Sequence, residues 1–99
     1  MNYKGNLSEF CLGTVQFGMN YGLKNVRNTE IDEIEIEKIF NFFHENGGIY
    51  IDTAQNYGNS EQKISNFLNN SSKVITKIEI NQRDQILEMI NKSLRNLNI

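Results

Sequence analysis

Three short apolar runs, at residues 11–17, 49–53 and 74–78, alternate with stretches whose apolar residues recur at helical spacing. That alternation restricts the fold more than any other feature of the chain. A run of about five residues that is apolar on both faces reads as a strand covered on both sides. Helices between successive strands make those strands parallel. The predicted order is β-α-β-α-β-α. Right-handed crossovers place the helices either around a barrel or on the two faces of a doubly wound sheet. Local pattern does not choose between the two.

The connecting stretches carry their own start and stop signals. Residues 18–28 are rich in Gly and Asn and read as a loop. A helix is predicted over 32–46, because Ile36, Ile39, Phe40 and Phe43 fall at i, i+3, i+4 and i+7. Thr29 with Asp32, and Asp32 with Glu35, offer two capping boxes at its start. Asn46, Gly47 and Gly48 end it. After a loop at 54–59, Ser60 is the expected N-cap of a second helix, with Glu61 near its positive end and Ile64, Phe67 and Leu68 on its buried stripe. Residues 69–72 break that helix. A third is expected over 83–96, with Ile86, Ile90, Leu94 and Leu97 as its core face.

Composition excludes several classes of function. Ninety-nine residues suffice for one small domain, and a formal net charge of -2 with no Lys/Arg block predicts neither a nucleic-acid nor a membrane-surface partner. No segment approaches the ~18 apolar residues of a membrane span, and residues 1–9 lack the apolar core of a signal peptide. A cytoplasmic protein is expected. The single cysteine, Cys11, excludes an internal disulfide and a cysteine-based zinc site, and its apolar run predicts a buried, inert thiol.

Chemistry is concentrated where charge interrupts the strands. Asp52 and Lys77 both fall at C-terminal strand ends, the edge at which parallel α/β folds bind ligands. Neighbouring strands would bring them together as a buried ion pair, which is costly in desolvation and so points to a functional reason. Tyr57 lies five residues beyond Asp52, in the loop above the same edge. An ammonium group beside a phenol stabilises the phenolate and draws its pKa down from about 10, toward the range of a general acid. Such a group can protonate a carbonyl oxygen as hydride arrives at carbon.

The segment Gly47-Gly48-Ile49-Tyr50-Ile51-Asp52-Thr53-Ala54-Gln55-Asn56-Tyr57-Gly58-Asn59-Ser60-Glu61 closely resembles the aldo-keto reductase signature. Leu12-Gly13-Thr14 is similar to that family's first strand, Val74-Ile75-Thr76-Lys77 to the strand bearing its catalytic lysine, and Ser93-Leu94-Arg95-Asn96-Leu97 to the end of its third helix. The four motifs stand in the family's order, over residues 10–99. The resemblance implies an α/β chain forming the first three βα units of a (β/α)8 TIM barrel, with 1–99 as the N-terminal portion of the domain. It implies Tyr57 as general acid, Lys77 as the group that activates it, and Asp52 as the partner of Lys77. It also implies NADP(H) as cofactor, in preference to NADH, with Gly13, Thr14, Val15 and Asp52 near the nicotinamide and its ribose. Met19 and Tyr21 would line the pocket for a small-molecule carbonyl substrate. Residues 12–25 are most similar to bacterial members associated with sugar or surface-polysaccharide metabolism.

The family's fourth catalytic residue, a histidine at the end of the fourth strand, has no counterpart. The only histidine, His44, falls in the first long helix and is expected on the surface as a cation near the negative helix end. A full barrel needs about 250 residues, and three helices cannot cover both faces of such a sheet, so the chain reads as truncated, marginal in stability and inactive alone, with open strand edges that the missing part of the barrel would pair. Two other functions fit the same residues: a catalytically inactive remnant of such an enzyme, or an interaction fragment that uses its open edges.

Overall fold

The computed structural model of the chain describes residues 5–18 and 31–99. The predicted capping box at Thr29, the loop residues 19–28 and the pocket residues Met19 and Tyr21 lie outside them. The strands are β1 (Cys11–Gly13), β2 (Tyr50–Asp52) and β3 (Lys73–Ile75), parallel and in the order β1-β2-β3. Register pairs Leu12 with Ile51 and Ile51 with Val74. The helices are α1 (Val15–Gly18), α2 (Glu33–Glu45), α3 (Ser60–Ser65) and α4 (Ile86–Leu97), the last preceded by a 3-10 turn at Arg83–Gln85.

Strand pairing outlasts these short ladders. The Thr53 N–H donates to the Ile75 carbonyl at 2.8 Å, and the Gln55 N–H donates to that of Lys77 at 2.9 Å. The chain therefore stays extended through Lys77. The first run behaves differently: a strand was expected over 11–17, but it turns into α1 after Gly13. The Thr14 N–H makes the last ladder bond, to the Asp52 carbonyl at 3.1 Å, and the Thr14 carbonyl then accepts from the Phe17 N–H at 2.9 Å. One helical turn buries Phe17 against Phe40, ring centroids 6.1 Å apart, as a strand end could not. A short apolar run does not distinguish the two.

All four helices contribute to one core, on one side of the sheet. Leu12, Ile51 and Val74 point into it and meet Phe17, Ile36, Phe40, Phe43, Ile64 and Leu97. Burying each large side chain contributes roughly 1.5–3 kcal/mol. The α2 stripe is buried as its spacing predicts, with Ile39 at its margin. Asp32 caps that helix by accepting from the Glu35 N–H at 2.9 Å, and Gly47 ends it at φ +84°.

Two packing expectations are corrected. Cys11 was expected to be buried, but it points away from the helices together with Gly13, Tyr50, Lys73 and Ile75 and is exposed, on the sheet face that three helices were expected to leave uncovered. In a (β/α)8 barrel this is the face turned toward the interior. The α4 core face is also rotated from the predicted one. Ser93 and Leu97 are buried and Met89 half-buried, whereas Ile90 and Leu94 are exposed. Small Ser93 faces the β2–α3 loop, where the Gln55 amide donates to the Met89 carbonyl at 2.8 Å and to Ser93 Oγ at 2.9 Å. These polar bonds set the helix rotation against its hydrophobic stripe.

His44 is not the surface cation expected. Its ring is half-buried between Phe40, centroid distance 5.6 Å, and Phe43, 6.0 Å, with Nε2 3.3 Å from Ser72 Oγ. Burial disfavours its charged form and holds its pKa below the usual value. The unfolded chain then binds a proton that the folded chain refuses, so stability falls as pH drops from about 6.5 toward the depressed folded value. Denaturation of the parent and His44→Gln, above and below that window, checks this: the parent should lose the additional stability on acidification. An equal pH response of the two chains would refute it.

Candidate active site

Asp52, Tyr57 and Lys77 come together at the C-terminal edge of the sheet. Asp52 ends β2 and Lys77 lies on the extended run beyond β3, one strand away. Lys77 Nζ donates to both Asp52 carboxylate oxygens, at 2.9 Å each. The same Nζ stands 5.2 Å from the centroid of the Tyr57 ring. The hydrogen bond to Asp52 is the main reason that the Lys77 ammonium is held above the usual lysine pKa. Partial desolvation opposes it, and the charges of Asp52 and Tyr57 reinforce it. The ion pair was expected to be buried, but the Lys77 and Asp52 side chains are 48% and 36% exposed. Both project from the open face of the sheet, with no second layer over them among the described residues.

Two turns hold Tyr57 over this edge. Its N–H donates to the Ala54 carbonyl at 3.1 Å, and its carbonyl accepts from the Ser60 N–H at 3.0 Å. Gly58 has φ +57°, and a Cβ there would run into the Gly18 carbonyl, just as one on Gly18 would run into the Tyr57 carbonyl. The two glycines let α1 and the Tyr57 loop meet backbone to backbone. A cleft of about 380 Å³ opens beside the loop, lined by Ala54, Asn56, Tyr57, Lys77, Ile78 and Glu79.

The remaining predicted residues divide. Gly13 is exposed at the end of β1, with nothing within 4 Å of where a Cβ would stand. Val15 is half-buried on α1. Thr14 turns inward: its hydroxyl donates to the Asp52 carbonyl at 2.9 Å and accepts from Ser60 Oγ at 2.9 Å. Gly13 and the exposed Asp52 carboxylate thus leave an open, acceptor-bearing edge. Cys11 is on the same face. Partial desolvation and the charge of Asp52 push its thiol pKa up, against the pull of Lys77, and so favour its protonated form.

Sequence reasoning missed what stands behind the edge. Ser60 was read as an N-cap, but Asn59 holds that position and makes no side-chain cap. Ser60 is instead a buried hub: its Oγ lies 3.0 Å from Thr53 Oγ1 and shares its one proton between Thr14 Oγ1 and, at 3.1 Å, the Thr14 carbonyl. Glu61 was read as a helix-end charge and is buried. The signal was present, since Glu61, Ile64 and Leu68 share one helical face.

The family model described as "Aldo/keto reductase family" matches residues 9–99. No curated protein matches the chain. Two solved Pseudomonas aeruginosa structures, both assigned as aldo-keto reductases, share its fold. The first, a crystal structure, is 21% identical with a TM-score of 0.78 and covers 96% of this chain and 46% of its own. The second is 23% identical with a TM-score of 0.72 and covers 95% and 44%. The chain thus spans less than half the length of either.

Two outcomes follow from this geometry. Gly58→Ala places a β-carbon at positive φ against backbone and should cost on the order of 1–3 kcal/mol in denaturant unfolding; unchanged stability would show that the contact is dispensable. Asp52→Asn should lower the Lys77 amine titration, followed by NMR, toward the ordinary value of about 10.4. Stability should change by no more than the ~1 kcal/mol typical of exposed pairs. An unmoved titration would mean that Asp52 does not hold the ammonium.

Proposed function

Because the chain belongs to the aldo/keto reductase family, we propose that it carries the proton-transfer half of a carbonyl reductase site, acting on an aldehyde or ketone of a sugar-related substrate. The observation that carries the reading is the Lys77 ammonium, bonded through both oxygens to Asp52 and set beside the Tyr57 ring at the C-terminal strand edge.

Each residue has a separable part in this reading. Tyr57 gives its hydroxyl proton to the carbonyl oxygen as the carbonyl carbon becomes saturated, and takes one back in the reverse direction. Lys77 stabilises the phenolate left behind, because its ammonium stands beside the ring that bears the charge. Asp52 fixes the ammonium and limits the excess positive charge at the edge. NADPH, in preference to NADH, would supply the hydride when bound there. Gly13, Thr14, Val15 and Asp52 are the residues that would border it, Thr14 from behind the edge, since it is buried with its N–H, carbonyl and hydroxyl all paired within the fold. Met19 and Tyr21 are assigned to the substrate pocket.

The open sheet face suits cover by the remaining strands of a barrel, which we take to be its partner. With Asp52 and Lys77 exposed to water, the described residues alone lack the enclosed site that strengthens such electrostatics, and we expect no turnover from them by themselves. The exposed free thiol of Cys11 fits a reducing cytoplasm.

Tyr57→Phe, in a complete barrel that carries this segment, removes the proton donor and leaves the ring. Aldehyde reduction should fall by roughly 10²–10⁴-fold in kcat, with nucleotide affinity held. Reduction at the parent rate would exclude Tyr57 as the acid.

A further inference from the structure

Glu61 is the one charged residue among the buried polar side chains of the described residues, at 2% exposure. It sits in the first turn of α3, four residues after Tyr57. Its Oε2 accepts from Thr76 Oγ1 at 2.8 Å, and its Oε1 accepts from Asn96 Nδ2 at 3.0 Å. One carboxylate thereby joins α3, the strand run that bears Lys77, and the last turns of α4.

Packing alone does not account for it. A buried carboxylate contributes little net stability, and an apolar side chain of similar volume commonly serves as well or better. Its placement accounts for more. Thr76 immediately precedes Lys77 on extended backbone, where successive side chains point to opposite faces. The Thr76 hydroxyl is held from the helix side, and the Lys77 side chain emerges on the open side toward Asp52. From the strand side, the Gln55 N–H holds the Lys77 carbonyl at 2.9 Å.

We propose that Glu61 is a positioning residue: by gripping Thr76 from behind the sheet, it sets the Lys77 ammonium against Asp52 and Tyr57. The assignment rests on the roles given above to those three residues. It acts through geometry rather than through the charge of Glu61. A glutamine, able to accept from Asn96 and donate to the Thr76 oxygen, should therefore replace it.

The test is the Lys77 amine titration, read by NMR in the folded chain beside thermal stability. Thr76→Val deletes one hydroxyl with little change of shape, and Glu61→Ala deletes the grip. In both, the Lys77 midpoint should move down toward about 10.4 as the pair with Asp52 loosens, while Glu61→Gln should keep the parent value. If Glu61→Ala does not fold, Thr76→Val against Glu61→Gln carries the comparison. Lower stability with an unmoved Lys77 midpoint in Thr76→Val would reduce Glu61 to a structural tie and overturn the proposal. So would a Glu61→Gln midpoint that falls as far as the Thr76→Val one. The readout needs no turnover. An unmoved midpoint sinks the positioning role even where Tyr57→Phe abolishes reduction, and a moved one upholds it even where the Tyr57 assignment fails.

Discussion

The hydroxyl of Ser60 is where the structure is joined. It touches Thr14 Oγ1, the Thr14 carbonyl and Thr53 Oγ1, and Thr14 in turn donates to the Asp52 carbonyl. A parallel sheet leaves backbone groups unpaired at its strand ends, and buried ones must find partners. Here the Asp52 and Thr14 carbonyls accept from the Thr14 and Phe17 N–H groups, the Thr14 and Ser60 hydroxyls give each a second donor, and with Thr53 Oγ1 they fix the end of β2, the exit of β1 and the start of α3 to one another. Asp52 lies inside that knot by its backbone and outside it by its side chain. A rigid main chain below thus presents a charged group above. The meeting of Gly18 and Gly58 follows from the same approach, since α1 and the Tyr57 loop are drawn together over Ser60.

The site's chemistry was more legible in the sequence than its surroundings were. Charges that interrupt apolar strands are few, so Asp52 and Lys77 identify themselves, and parallel neighbours at one edge leave a single way to bring them together. The α2 helix was legible because Ile36, Phe40 and Phe43 carry an uncontested period between two clear caps. α4 was misread because its apolar stripe and its polar anchors disagree. Ile90 and Leu94 offer the larger side chains, but Gln55 and Glu61 bind the helix by the Met89 carbonyl, Ser93 and Asn96. A partner 30 or more residues away decides that rotation, and helical period does not contain it.

Burial was misjudged for a related reason. Strands apolar on both faces are suited to cover on both, although three helices are too few to supply it. Only the face bearing Leu12, Ile51 and Val74 meets helices here, while Cys11, Tyr50 and Ile75 stand exposed. Pattern reports what a face is suited to meet, not what is present to meet it. The same inference placed Cys11 and the Asp52–Lys77 pair in an interior.

That exposure bears directly on the electrostatics. At a solvent-facing edge, a lysine and a carboxylate 2.9 Å apart attract weakly, because water screens both. Cover over the open face would strengthen the attraction and raise the desolvation cost of each charge together. An unpaired ammonium would then resist burial, so Asp52 is what allows Lys77 to remain charged beside Tyr57 in an enclosed site. Bidentate bonding to Asp52 also leaves Nζ one of its three donors, and the ring at 5.2 Å is where that donor has reason to turn. The pair is therefore better understood as a device for holding a cation beside a phenol than as a source of stability. On the proposed reading, its dependence on placement is why the polar ties behind the sheet matter as much as the charges in front of it.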